Sequence, residues 1–239
     1  VTSGDEEAGL AAARDLVMAP DASVATHLEY ALLLATTGRD AEARAMLTPY
    51  ATGETVVPGA VRSLGILDLE QGDLDAATVR FEALLSTGSQ SYDSLYFLGN
   101  IADRRDDDER AARYYSRVVS GEYALPAQGR LARIKAEQGG LDAGLAHLQD
   151  FASGHPQRGP DLVATRAGLA SSFGDTERAI AILDAGLQQY PDALELRMTR
   201  VFAYERAGKS DAAVRELRQL LAERPGDATV QNALGYTLA

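Results

Sequence analysis

The sequence predicts an all-α fold assembled from repeated helix–turn–helix units, and three observations carry the prediction. Ala and Leu abound while only 6% of the 239 residues are aromatic, a composition that favours helix over strand. A motif recurs along the chain, and units aligned on it begin at Val24, Pro58, Tyr92, Leu125, Pro160, Leu194 and Ala228, in steps of 34, 34, 33, 35, 34 and 34 residues. Each complete unit reads as two apolar-periodic stretches parted at its fifteenth position by Gly38, Gly72, Gly139, Gly174 or Gly208, or by Asp106 in the third unit. A period of that length marks a stack of small supersecondary units, each burying its apolar face on its neighbours.

The elements follow in order within each unit. The first helix runs from the unit's start to the fifteenth position, where a residue able to adopt positive φ ends it. Asp or Ser close behind (Asp40, Asp73, Asp108, Asp142, Asp175, Ser210) offers a side-chain oxygen to cap the second helix. Position 20 is small throughout (Ala43, Ala77, Ala111, Gly144, Ala179, Ala213), so the two helices of a unit can approach closely. Pro156, Pro191 and Pro225 stand at position 32, where the second helix must end. Ahead of the first complete unit, a half unit over 4–23 has its turn at Gly4 and a second helix at Asp5–Ala19, and 228–239 supplies a first helix alone. The whole of 1–239 thus reads as a single array. Leu234, Tyr236 and Leu238 do not make the polar outer face a terminal unit needs. The expectation is a piece cut from a longer protein, or a last helix that packs on another molecule.

Charge and motif content narrow the function. With 23 basic against 35 acidic residues the net charge is −12, which repels nucleic acid and anionic membrane surfaces. Zero Cys removes disulfides, thiolate metal sites and Cys nucleophiles. No run approaches the length of a membrane span, and Val1–Pro20 lacks the pattern of a signal peptide, so no membrane insertion is expected of these residues. His27, His147 and His155 are not paired at i, i+4 and do not sit in carboxylate clusters, so no metal is expected. The charge run Arg104–Arg110 lacks the Gly and alternating oxygens of a calcium loop and falls on an inter-helix turn. Gly208-Lys209-Ser210 imitates the end of a phosphate loop, but Ala203 stands where that loop needs Gly and no strand precedes it. No nucleophile elbow or dinucleotide fingerprint occurs, and the reading is of a non-enzyme without cofactors.

Leu-Gly at positions 7 and 8 (Leu64-Gly65, Leu98-Gly99, Leu234-Gly235), Gly at 15, Ala at 20, a large residue at 24 (Leu47, Phe81, Tyr115, Leu148, Leu183, Leu217) and Pro at 32 resemble the tetratricopeptide repeat. The resemblance implies a right-handed superhelical solenoid whose first helices line a concave groove through positions 2, 5, 9, 12 and 13. It places Leu28, Leu32, Ile66, Leu69 and Tyr96 in one apolar cluster and Met198, Phe202 and Tyr236 in another, with Arg62, Asn100 and Arg133 among the polar residues of the same face. A smooth patch follows at Gly168, Ser171 and Ser172. Two departures from the pattern are Arg166 and Arg200 at position 7, each expected to lay its stem along the helix seam and reach an acid such as Asp184 or Glu205. No unit pairs Lys at position 5 with Asn at 9, since Asn100 has Tyr96 as its companion, so a chaperone carboxylate clamp is not expected.

These features imply a scaffold that binds a protein or peptide by apolar anchors, with polar residues setting register. The alternative is an assembly scaffold that self-associates through its open C-terminal helix. Roughly the last 45 residues also resemble bacterial cell-envelope repeat lipoproteins that act as protease adaptors. That resemblance implies a periplasmic or outer-membrane-anchored protein; without it the expectation is cytoplasmic.

Overall fold

The computed structural model describes residues 3–88 and 91–238, and among them it contains helices and no strand. The chain divides into two compact units, Val1–Ala124 and Leu125–Ala239, and the division falls where the fourth complete repeat starts. In the first unit α1 (Ser3–Val17) precedes three hairpins, α2 (Val24–Thr36) with α3 (Asp40–Thr52), α4 (Pro58–Glu70) with α5 (Leu74–Ser86), and α6 (Ser91–Arg104) with α7 (Asp108–Tyr115). In the second, α8 (Ala124–Gly139) pairs with α9 (Leu141–Ser153), α10 (Gly159–Ser172) with α11 (Thr176–Gln189), and α12 (Leu194–Arg206) with α13 (Ser210–Glu223), before α14 (Ala228–Leu238). A single 3-10 turn at Pro156–Arg158 leads into α10. The all-α repeat solenoid architecture is the expected one, with first helices beginning within one residue of the repeat starts. The turn expected at Gly4 lies instead inside α1.

The hairpin turns show how the chain reverses. Gly38, Gly72, Gly174 and Gly208 take φ between 70° and 81°, and Asp106 joins them at 56°. The next residue's N–H then reaches back to close the first helix: Arg39 to the Leu34 carbonyl at 2.8 Å, Asp73 to Asp68 at 2.8 Å, Asp107 to Ala102 at 3.0 Å. The fourth repeat departs from expectation, because α8 runs through Gly139 and Gly140 takes the positive φ, 85°. The capping residues also need correction. Except in α9, where Gly140 itself is the N-cap, the N-cap is the residue directly after the positive-φ residue, so Asp73, Asp107 and Asp175 accept from the backbone N–H three residues on, whereas Asp40, Asp108, Asp142 and Ser210 lie inside their helices. Asp40, Asp108 and Asp142 remain useful there as acids in a first turn, where they oppose the helix dipole.

Packing within each hairpin is governed by matched volumes. The alanines at position 20 are completely buried, and a methyl group added to Gly144 would stand 2.5 Å from the Ala132 carbonyl. Positions 8 and 24 face each other across the two helices. Where 24 is a ring, 8 is glycine: a Cβ on Gly65 would meet Phe81 at 2.8 Å, and one on Gly99 would meet Tyr115 at 2.6 Å. Where 24 is leucine (Leu47, Leu148, Leu183, Leu217), position 8 carries Ala31, Ala132, Ala167 or Val201, all buried. Gly65→Leu is therefore expected to overpack the α4–α5 crossing and cost at least about 1–3 kcal/mol in denaturant melts. Gly65→Ala with Phe81→Leu, which installs the other volume pairing, should lose less than Gly65→Leu. An unchanged melt for Gly65→Leu would contradict the register.

Candidate protein-interaction surfaces

In the first unit, α2 and α4 present a groove of about 340 Å³ whose walls include Leu28, Leu32, Arg62, Ile66 and Glu70. Leu32 is 61% exposed, an uncommon state for a leucine inside a concavity. Leu28 is half-buried and lies over Gly59, where a Cβ would come within 3.1 Å of its Cδ1; Ile66 is likewise half-buried. Leu69 does not belong to this surface. It is 5% exposed and packs with Val61, Phe81, Phe97 and Ile101, because position 12 turns toward the neighbouring repeat.

Tyr96 and Arg62 are engaged within the chain. Tyr96 is half-buried and stacks on Tyr123, with ring centroids 4.5 Å apart. Arg62 donates from Nε to Asp93 Oδ2 at 2.8 Å and from Nη2 to the Tyr123 hydroxyl at 2.7 Å. Burial raises the Tyr123 hydroxyl's pKa, while Arg62 opposes the rise. Sequence reasoning missed Tyr123, although a signal existed: it occupies position 32, where the later repeats carry proline. Arg104, at position 13, caps α4 by donating to the Leu69 carbonyl at 2.8 Å. Asn100 shares position 9 with Leu32 and Ile66, and its side-chain oxygen is buried without a hydrogen-bond partner.

In the second unit Phe202 is 54% exposed and Tyr236 82%, again both at position 9, while Met198 is half-buried against the core of Val201, Leu217 and Val230. Thr237 donates to Glu205 Oε1 at 2.6 Å, linking α14 to α12. Arg133 pairs with Glu137 one turn on, at 2.7 Å. Gly168 and Ser172 are exposed and Ser171 half-buried.

The two position-7 arginines have different fates. Arg200 donates to both oxygens of buried Glu216, at 2.9 and 2.8 Å, and to Asp184 at 2.6 Å, as expected for Asp184. Glu205, the other expected acid, is used by Thr237. Burial works against the Arg200 charge, but its bonds to Glu216 and Asp184 hold the guanidinium well above its usual range. Arg197 joins the network through Glu216 at 3.1 Å and Glu223 at 2.6 Å. Among the described residues Arg166 reaches no acid, and its Nε is buried without a hydrogen-bond partner. Burial, with Arg178 nearby, lowers its pKa. The physical reason for this departure is positional: Asp142 and Asp184 on the helices either side pair with Arg178 and Arg200, and the positions that correspond to the Arg200 partners hold Gln149 and Ile182.

Residues 62–127 and 171–235 each match a tetratricopeptide repeat family model, and together they span more than half of the chain. The chain belongs to the tetratricopeptide repeat family. It is 33% identical over 148 residues to a TPR repeat-containing protein of Pseudomonas aeruginosa, a match covering 62% of this chain and 25% of that protein. The chain thus spans about a quarter of that relative's length. Among solved structures it is similar to a tetratricopeptide repeat protein from Parabacteroides merdae, at TM-score 0.61 and 16% identity over 99% of this chain and 93% of that one. It is also similar to PilW, a widely conserved type IV pilus biogenesis factor, at TM-score 0.57 and 16% identity over 87% and 96%. These two likenesses are of fold.

Among the described residues no group of three or more His, Asp or Glu side chains is arranged to hold a metal, and no helix is long and apolar enough to cross a membrane. The histidines are tied into local structure. His27 Nδ1 lies 2.8 Å from the Ser23 carbonyl, and His155 Nδ1 2.9 Å from that of Phe151. His147 Nε2 lies 2.7 Å from Oε1 of buried Gln128. Burial lowers the His147 pKa, helped by Lys135 and opposed by Asp150. The unfolded chain therefore binds this proton more readily than the folded one, and the histidine's contribution to stability is lost as pH falls below about 6.5. Acidification from about pH 7.5 to 5.5 is expected to lower Tm more in the wild type than in His147→Gln. Equal shifts in thermal melts would contradict this assignment.

Proposed function

We propose that this chain is a non-catalytic scaffold that seats a polypeptide on the first-helix face of its N-terminal unit. One observation carries the reading: Leu32 stands 61% exposed in a groove walled by Leu28 and Ile66. Covering an aliphatic side chain of this size is worth about 1.5–3 kcal/mol, enough to anchor a partner residue. Membership of a repeat family whose stacked helices preform such grooves lowers the ordering cost of binding.

A second reading has its own observation. Tyr236 and Leu238 on α14 and Phe202 on α12 are all exposed, an apolar face suited to a second copy. Within the first reading we also place the protein in the bacterial envelope as a protease adaptor. The likeness of its last 45 or so residues to envelope repeat lipoproteins supports this placement, and its relative in Pseudomonas aeruginosa supports only that it is bacterial. Recovery of the full reading frame's product only in the cytosol would end that part of the proposal.

Leu32→Asp with Ile66→Asp is expected to weaken partner capture by tenfold or more, about what losing one apolar anchor costs, while circular dichroism stays helical. Undiminished capture would remove this groove as the site. Light scattering separates the second reading: a monomer at tens of micromolar speaks against self-association, and a dimer that Tyr236→Ser dissolves supports it.

A further inference from the structure

A second site lies in the C-terminal unit, and the neighbouring repeat defines what it lacks. In the sixth repeat, Arg200 and Arg197 are neutralised by Asp184, Glu216 and Glu223. One repeat earlier, the residues at the corresponding positions are Arg166 and Val163 for the two arginines, and Gln149, Ile182 and Gln189 for the three acids. One cation is kept and every carboxylate is gone. The space is not filled by other side chains: a cavity of about 320 Å³ remains, lined by Gln149, Ser153, Val163, Arg166, Gln189 and Tyr190. Its walls come from the second helices α9 and α11 as well as α10, so it is separate from the first-helix face discussed above.

We propose that this cavity binds a carboxylate group, taken by the Arg166 guanidinium in the place that Glu216 and Asp184 occupy around Arg200. A guanidinium offers a planar fork of donors that matches a carboxylate, and two flanking glutamine amides can donate without adding negative charge. The buried, unpartnered Nε of Arg166 is a donor awaiting an acceptor. Its pKa, lowered first by burial and then by the nearby Arg178, agrees with a cation that has no counter-ion of its own; Arg178 itself is paired with Asp142. The carboxylate has two sources, a small free acid or an acidic side chain on a peptide.

The test is a titration of the whole chain with succinate, with an aspartate-bearing tripeptide and with inorganic phosphate at constant ionic strength, following the Arg166 Nε–Hε resonance. Saturable shifts with either carboxylate are expected, and the tighter of the two identifies the source. Arg166→Gln should weaken carboxylate binding about tenfold or more, the usual size of a lost charge-assisted bond. Gln149→Asp with Ile182→Glu, which restores the acids of the following repeat, should abolish binding and raise Tm. The proposal is overturned by an absence of saturable shifts, by phosphate binding where carboxylates do not, or by equal carboxylate affinity in Arg166→Gln. Should Arg166→Gln not fold, undiminished binding in Gln149→Asp/Ile182→Glu is equally decisive against it.

Discussion

Two helices joined by a three-residue turn can bury their facing sides only if the volumes at their crossing sum to what the gap allows. In this chain that constraint is met in two ways, a ring over glycine (Phe81 on Gly65, Tyr115 on Gly99) or a leucine beside alanine or valine. The first arrangement brings a flat side chain onto bare backbone; the second fills the same space from both sides. Interiors packed to crystal density tolerate neither a surplus methyl nor a missing ring. The rest follows from the crossing: it sets the direction of the first helix, and thereby which of its residues face outward at position 9.

The repeat structure was legible because it depends on small residues at fixed spacing, and small residues are scarce enough to keep a register visible. Glycine or aspartate at the turns and alanine or glycine at position 20 located every hairpin. Less visible was the one-residue geometry of the turns. Whether Gly139 or Gly140 takes the positive φ depends on where α8 runs out of backbone partners, and either glycine could serve. One capping aspartate slipped for a related reason: Asp107 and Asp108 look alike in sequence, yet only Asp107, directly after the turn, is held outside the helix; at the other turns the cap position holds Arg39, Gly140 or Lys209, which offer no side-chain cap.

The candidate surfaces were less legible than the fold. Leu32 and Leu69 are the same residue type on successive first helices, at positions 9 and 12, but one is open and the other closed over by Phe97 and Ile101. That difference lies in the neighbouring repeat, not in the residue. Tyr96 and Arg62 lie on first helices as assigned, but the contact that joins them comes from Tyr123, outside the helical pattern, with Asp93 also holding Arg62. The contrast between Arg166 and Arg200 is written in the sequence, in Gln149, Ile182 and Gln189 against Asp184, Glu216 and Glu223. It becomes readable only once the structure shows which positions converge on the guanidinium.

The matched crossing also limits how such a chain can be recombined. A cut between α4 and α5 that joined the first helix of one repeat to the second helix of another could set Gly65 against a leucine and leave a void, or set Ala132 against a ring and collide. Cuts made between repeats leave every pairing intact. The interchangeable part is therefore the hairpin rather than the helix, and shuffling, insertion or duplication is tolerated most readily in whole steps of about 34 residues.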